Sequence, residues 1–306
     1  MPGEVWTRPS DEWQQLIVSL LSMKFPVGDF VPIPDKVGGD CGLEGFTRDG
    51  TAFQCYAAEE PVNSHDLTIK QKAKVTRDIG KLSQYKDTLI KILGPTVLKK
   101  WVLVVPRWDD KSLLSHAEEK LSAIRSQGIP FIDPSIVPGI CTGDEFRTER
   151  EQLLRQGADS LRIAGRPVRE ADVGDWAQSN DALAGTLYEK TLVICRQDAA
   201  AARQLRDESI RHYLEGQNAL AQLAERFPSL HEGVSQIKTD KENFLATESL
   251  TTSALPPDHF RSTCAELESD LRNNFKGLDP FTVRQLVQGA VADWLLRCPL
   301  QFPRTA

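Results

Sequence analysis

The sequence has few cysteines, and they form no recognisable metal-binding or disulfide pattern. Six cysteines are spread over 306 residues, and no two of them stand in a CxxC pair. They are Cys41, Cys55, Cys141, Cys195, Cys264 and Cys298. A disulfide-stabilised fold and a cysteine zinc site are therefore unsupported, and reduced thiols in a cytoplasmic protein are the expectation.

Long apolar runs and several familiar catalytic motifs are also missing. Apolar runs such as 101–105 fall far short of the roughly 20 residues that a membrane span needs, so no membrane partner is expected. The sequence contains no HExxH, GxxxxGK[ST] or GxSxG motif. Nothing in it therefore supports a zinc metalloprotease, a P-loop NTPase or a serine hydrolase. The net charge of −6 argues against a protein that coats nucleic acid through its overall charge.

The pattern of the chain changes near residue 145. Before it, helical and strand-like segments alternate, and after it the strand signals nearly vanish. The order helix, strand, hairpin, helix, strand, helix, strand predicts an α/β domain over 1–145 with a mixed central sheet. Residues 146–306 are predicted to form an all-α domain that serves interactions, and the total length suits two domains.

Within the first domain, a glycine-rich stretch and the turn signal Arg48-Asp49-Gly50 predict a hairpin with arms 42–46 and 52–57. Residues 67–93 are predicted to form one long helix. The apolar run 101–105 is typical of a central strand buried on both faces, and 129–133 is predicted to be an edge strand because its proline limits pairing.

Acidic and amide side chains converge at the predicted hairpin. Asp40 and Glu44 stand four residues apart, which on a strand places both on one face, and Gln54 lies on the partner arm. Two carboxylates and an amide oxygen can hold a hard cation such as Mg²⁺, and such an ion can activate water beside a scissile phosphate. The alternative is that these acids cap turns and face solvent.

The run 38–57 resembles the Mrr-type branch of the restriction-endonuclease-like superfamily, which carries the PD-(D/E)XK signature. Gly-Asp-Cys-Gly-Leu-Glu-Gly at 39–45 is similar to its G-D-x-G-x-D-G element, and Phe-Gln-Cys-Tyr at 53–56 is similar to its Q-x-K element. The resemblance covers roughly residues 10 to 140. It implies a restriction-endonuclease-like domain that uses Mg²⁺ or Mn²⁺ and acts on DNA.

The resemblance also assigns expected roles to individual residues. Glu44 occupies the position of the metal-binding aspartate, Gln54 the second ligand or acidic position, and Glu12 the place of a further acid on the first helix. Asp40 would assist in the metal site. The catalytic lysine position is filled by Tyr56, whose phenol has an unperturbed pKa near 10 and carries no positive charge.

Two ways to compensate for the missing lysine stay open, together with the alternative that the domain has no catalytic activity. Members of the superfamily sometimes supply the lysine from a neighbouring helix, and Lys70, Lys72 and Lys74 open the next helix here. Glu59 or Glu60, just beyond the strand, is an alternative metal ligand. The third alternative is a catalytically inactive, nuclease-like scaffold or sensor subunit that binds nucleic acid or a partner NTPase. An altered nuclease core with a helical tail is similar to subunits of bacterial antiphage defence systems.

The helix after the hairpin is strongly basic. Residues 66–100 carry nine lysine or arginine residues against three acidic ones. Lys70, Lys74, Arg77 and Lys81 follow helical spacing and form one stripe. Such a stripe is expected to contact successive DNA phosphates without reading bases, and the alternative is an ordinary solvated helix face.

Overall fold

The protein is described here by a computed structural model that covers residues 4–34, 40–163, 166–297, 300 and 302. The chain divides into two compact units, Met1–Arg150 and Glu151–Ala306, whereas the boundary expected from the sequence fell at 145. The first unit is α/β and the described part of the second is helical. The prediction of an α/β domain followed by a helical one is therefore confirmed. Among the described residues, no helix combines the length and the apolar character needed to cross a membrane.

The first unit is built on a five-stranded mixed sheet in the order β1-β2-β3-β4-β5. The strands are β1 (Phe30–Pro32), β2 (Gly45–Thr47), β3 (Thr51–Cys55), β4 (Leu98–Val104) and β5 (Ile132–Cys141). The first three form an antiparallel meander, and β4 runs parallel to both β3 and β5. Strand β4 therefore has a partner on each side, as expected for the apolar run.

The hairpin of β2 and β3 turns at Gly50, which has a φ of +98°. A Cβ at this position would lie 2.2 Å from the carbonyl oxygen of Val97, so only glycine fits. The first arm is shorter than predicted, because 40–44 form a turn and not a strand, and the second spans Thr51–Cys55 instead of 52–57. The turn decides the site geometry described below.

Four helices flank the sheet: α1 (Ser10–Lys24), α2 (Ser64–Gln84), α3 (Lys86–Leu93) and α4 (Ser112–Arg125). The single helix predicted over 67–93 is in fact two helices. Tyr85 leaves the helical conformation, with ψ at 26°, and the break lets Leu89 and Leu93 join the core that also holds Ile79 and Leu82. The prediction failed because helical spacing by itself does not show a change of helix direction.

Strand β5 is longer than the predicted 129–133 and contains prolines. The N–H of Val105 donates to the carbonyl of Cys141, so alternation along the strand turns Pro138 away from β4. A proline there removes no ladder hydrogen bond. The Arg125 guanidinium donates to the carbonyl of Ile136 at 2.9 Å, and together these features protect the edge from pairing with another strand.

The remaining helices are α5 (Arg147–Gln156), α6 (Glu170–Ser179), α7 (Asp181–Ile194), α8 (Ala199–Arg226), α9 (Pro228–Thr251), α10 (Pro256–Asn274) and α11 (Pro280–Arg297). Helix α11 is buried along most of its length. It crosses α8 at Gly216 and Gly289, where an added Cβ on either glycine would lie about 2.5 Å from the other's Cα. These two glycines let the helix backbones approach closely.

Candidate functional site

The turn at 40–44 presses its backbone against helix α2. Cys41 and Gly42 both have positive φ, at 52° and 87°. A Cβ on Gly42 would lie 2.4 Å from the main-chain oxygen of Asp78. The close approach, which only glycine allows, places the side chain of Asp40 beside those of Asp78 and Lys81.

Asp40 is held by three donors. Its carboxylate accepts hydrogen bonds from Lys81 Nζ at 2.8 Å, Gln54 Nε2 at 2.9 Å and the N–H of Gly42 at 3.0 Å. Burial by itself would raise the pKa of Asp40, but these hydrogen bonds outweigh it and lower the pKa to about 2. The carboxylate is therefore ionised at neutral pH and anchors the turn to both β3 and α2.

The lowered pKa of Asp40 predicts a specific acid sensitivity. Because the pKa is about 2 in the folded protein and near 3.9 in an unfolded chain, ionised Asp40 stabilises the fold above pH 4 by about 2 kcal/mol. This stabilisation is lost as the pH falls from 4 through 2. We expect Asp40→Asn to be less stable at pH 7 and to lose less stability below pH 4, as measured by urea unfolding at each pH. Parallel pH profiles for the two proteins would contradict the expectation.

Asp78 is the residue around which the α2 lysines are organised. Its side chain is fully buried and lies 2.8 Å from Lys74 Nζ and 3.0 Å from Lys81 Nζ. Lys81 thus bridges Asp78 and Asp40. Burial lowers the pKa of Lys81, but its hydrogen bonds to these two carboxylates outweigh that effect and raise the pKa. We call Asp40, Lys81, Asp78 and Lys74 the ionic network.

Glu44 directly precedes β2 and is only 4% exposed. The side-chain amide of Gln14, on α1, donates to its carboxylate. The main-chain N–H of Glu44 donates to Phe53 on the neighbouring strand at 2.8 Å. Because Gly45 pairs with Phe53, Glu44 and Gln54 occupy adjacent positions across the hairpin.

Glu44 also lines a cavity of about 310 Å³ between α1 and the β1–β2 region. The described polar lining comes from Glu44 and from Asp11, Gln14 and Gln15 of α1. A buried carboxylate on one wall and the exposed carboxylate of Asp11 on another make the cavity acidic and accessible to water.

The acid expected on α1 was Glu12, and the structure places it elsewhere. Its carboxylate lies 3.6 Å from Arg8 and is well exposed. Successive helical residues are rotated by about 100° about the helix axis. Asp11, one position earlier, lines the cavity, whereas Glu12 does not. The buried residues Trp13, Leu16 and Ile17 define the inner face of α1. Only the positions of Asp11 and Glu12 relative to that face distinguish which acid lines the cavity.

The three lysines proposed as replacements for the catalytic lysine lie in different surroundings. Lys74 belongs to the ionic network, and Lys70 is exposed one turn earlier on the same side of α2. Lys72 points away from that side and lies near Asp110 and His116. Burial raises the pKa of Tyr56, so the phenol is neutral at pH 7. Lys81, which was not among these three lysines, contacts the 40–44 turn through Asp40.

The basic stripe is present on one face of α2, but its four members are not equivalent. Lys74 and Lys81 are largely buried and paired with carboxylates. The Arg77 side chain is 63% exposed and lies 3.6 Å from Asp78, and Lys70 is exposed. Lys70 and Arg77 are therefore the members available to an incoming phosphate.

Two of the predicted metal ligands are already engaged by protein groups. The oxygen of Gln54 accepts the N–H of Cys55 at 2.8 Å, and Asp40 has its three donors. Glu44, whose carboxylate accepts from Gln14, and Asp11 are the carboxylates that line the cavity, and Mg²⁺ commonly binds through one or two carboxylates while it keeps several waters. The donor chemistry of this pair fits a divalent ion. Groups of three or more metal-binding side chains are absent from the described residues.

Two parts of the sequence interpretation fall outside the described residues, namely Gly38-Gly39 of the resemblance and Cys298.

Comparisons with protein-family models, curated proteins and solved structures find no match to the chain. The likeness to the restriction-endonuclease-like superfamily therefore stays a prediction, and function has to be argued from the residues of the site.

Proposed function

We propose that the first unit is a nuclease-fold domain that acts on DNA with Mg²⁺ or Mn²⁺ as its cofactor. The observation that carries the proposal is the buried carboxylate of Glu44, which forms one wall of an open cavity that Asp11 also lines. A divalent ion bound there would supply an activated water and charge neutralisation for a phosphodiester. Glu44 and Asp11 would hold this ion.

The neighbouring residues have supporting roles in this proposal. Gln14 donates to the Glu44 carboxylate and fixes its orientation. Asp40 and Gln54 tie the 40–44 turn to β3. Lys81 would supply, beside the 40–44 turn, the positive charge that Tyr56 lacks, because its ammonium group lies 2.8 Å from Asp40.

The second candidate function is DNA binding without cleavage, as a scaffold or sensor subunit. It is favoured by the saturation of Asp40 and Gln54 with protein donors and acceptors. The exposed cations Lys70 and Arg77 serve binding equally well with or without a metal. A place in an antiphage defence system, with a partner NTPase bound through the helical unit, is compatible with either function and stays a prediction.

A cleavage assay separates the two functions. Purified full-length protein is incubated with supercoiled plasmid and with linear DNA in Mg²⁺, in Mn²⁺ or in EDTA, and DNA binding is measured in parallel. We expect nicked or linear products in the presence of metal and none in EDTA. Binding without products would select the scaffold function, and the absence of both binding and cleavage would refute both.

The stripe makes a separate prediction about binding. The double variant Lys70→Glu/Arg77→Glu is expected to weaken binding to DNA of any sequence and to reduce the slope of log K against log salt by about two, since two phosphate contacts are lost. Lys72→Glu is the control, because it reverses one charge on another side of α2, whereas the double variant reverses two. Fluorescence anisotropy across a salt series measures the slopes. Equal slopes for all three proteins would show that the stripe is merely solvated.

A further inference from the structure

The second unit contains an apolar cavity that the proposed nuclease function does not use. It has a volume of about 330 Å³ and lies over α11, with α8 and α10 as its walls. The floor is formed by Val287, Val291, Ala292 and Leu295. A volume of this size lies in the range of small-molecule sites in proteins.

The walls add apolar surface and a few polar groups. Leu205, Ser209 and His212 come from one face of α8, and Phe260 and Cys264 come from α10. Burial lowers the pKa of His212 and raises the pKa of the Cys264 thiol to about 11. The Ser209 hydroxyl donates to the carbonyl of Leu205 at 2.7 Å. The interior is therefore uncharged at neutral pH.

The charge of the cavity is confined to its mouth. Glu268 is paired with Arg272 at 2.6 Å. Arg284 is exposed, lines the cavity and makes no ion pair with any residue in the described part of the chain. The mouth thus carries one unpaired guanidinium above an apolar floor.

We propose that this cavity binds a small amphiphile with an apolar body and an anionic head group. The body would lie on the α11 floor against Leu205 and Phe260, where burial of apolar surface is favourable. The head would meet Arg284, whose guanidinium can donate two parallel hydrogen bonds to a carboxylate. The proposal stands apart from the function of the first unit.

The test compares two probes with the same chain and opposite charge. Octanoate and octyltrimethylammonium are titrated into the full-length protein by calorimetry. We expect octanoate to bind at least about tenfold more tightly, and Arg284→Gln to remove this preference. Arg261→Gln, which removes an exposed guanidinium of α10 outside the lining, is the control and should keep the preference. Equal affinities in the wild type, no binding of octanoate, or a preference that survives Arg284→Gln would overturn the proposal.

A second measurement tests whether octanoate binds in this cavity. Iodoacetamide labelling of Cys264, followed by peptide mass spectrometry, is expected to slow when octanoate is bound, because the thiol lines the cavity. Cys195, which lies outside the lining, is the internal reference. Ala292→Leu fills part of the cavity volume and should weaken octanoate binding. Binding of octanoate that leaves the Cys264 labelling rate unchanged would overturn the assignment to this cavity.

Discussion

Replacing Glu44 by glutamine is expected to reduce metal-dependent DNA cleavage by about a hundredfold or more, while DNA binding stays unchanged or becomes slightly stronger. Glutamine keeps the shape of the side chain and a contact to Gln14 but removes the charge that would hold the ion. Binding should not suffer, because a negative charge near the DNA phosphates has been lost. Initial rates of plasmid nicking and anisotropy titrations measure the two effects.

The neighbouring acids of α1 provide the controls for this experiment. Glu12→Gln should leave cleavage unchanged, because Glu12 pairs with Arg8 and does not line the cavity. Asp11→Asn should reduce the rate, since Asp11 faces the same cavity as Glu44. Calorimetric titration of Mg²⁺ or Mn²⁺ into wild type and Glu44→Gln tests the ion directly. Identical, negligible heats for both proteins would leave only the binding function.

Removing the buried carboxylate of Asp78 is expected to cost about 3–5 kcal/mol of the free energy of unfolding. In Asp78→Ala, the ammonium group of Lys74 loses its 2.8 Å partner and Lys81 keeps only Asp40. Ammonium groups without a counterion are costly to keep away from water. Urea unfolding followed by circular dichroism measures the loss.

The control for Asp78 is an exposed acid of the same domain. Asp87→Ala, at the start of α3, should change the unfolding free energy by no more than about 1 kcal/mol, because Asp87 is exposed. A change of similar size in Asp78→Ala would show that the ionic network contributes little to the fold. The same result would remove the reason for treating Lys74 and Lys81 as unavailable to DNA.

Local sequence signals were sufficient for most elements of the first unit. The α1 pattern, the Asp49-Gly50 turn and the apolar run in β4 each correspond to an element of the structure. These signals act over a few residues, because side-chain periodicity and turn chemistry are local properties of the chain. They are also why the α/β class of the first unit and the helical class of the second could be predicted.

The composition of the candidate site was only partly determined by the sequence. It indicated Asp40, Glu44 and Gln54 but placed the two acids on a strand, and it proposed a lysine from the start of the next helix. It did not distinguish Asp11 from Glu12, and it gave no role to Asp78. Those choices depend on the rotation of α1 and α2 about their axes, and the rotation is set by which apolar face packs against the sheet.

What the sequence determined by itself is therefore the fold class of each unit and the order of most elements, but neither the break at Tyr85 nor the turn at 40–44. What only the tertiary structure decided is which charges meet. The positive φ of Gly42 and its missing Cβ let the turn touch α2, and this contact joins Asp40 to Lys81 across 41 residues of sequence. An ion pair between residues so far apart produces no periodic pattern in the sequence, because it arises from the packing of two elements and not from the conformation of either.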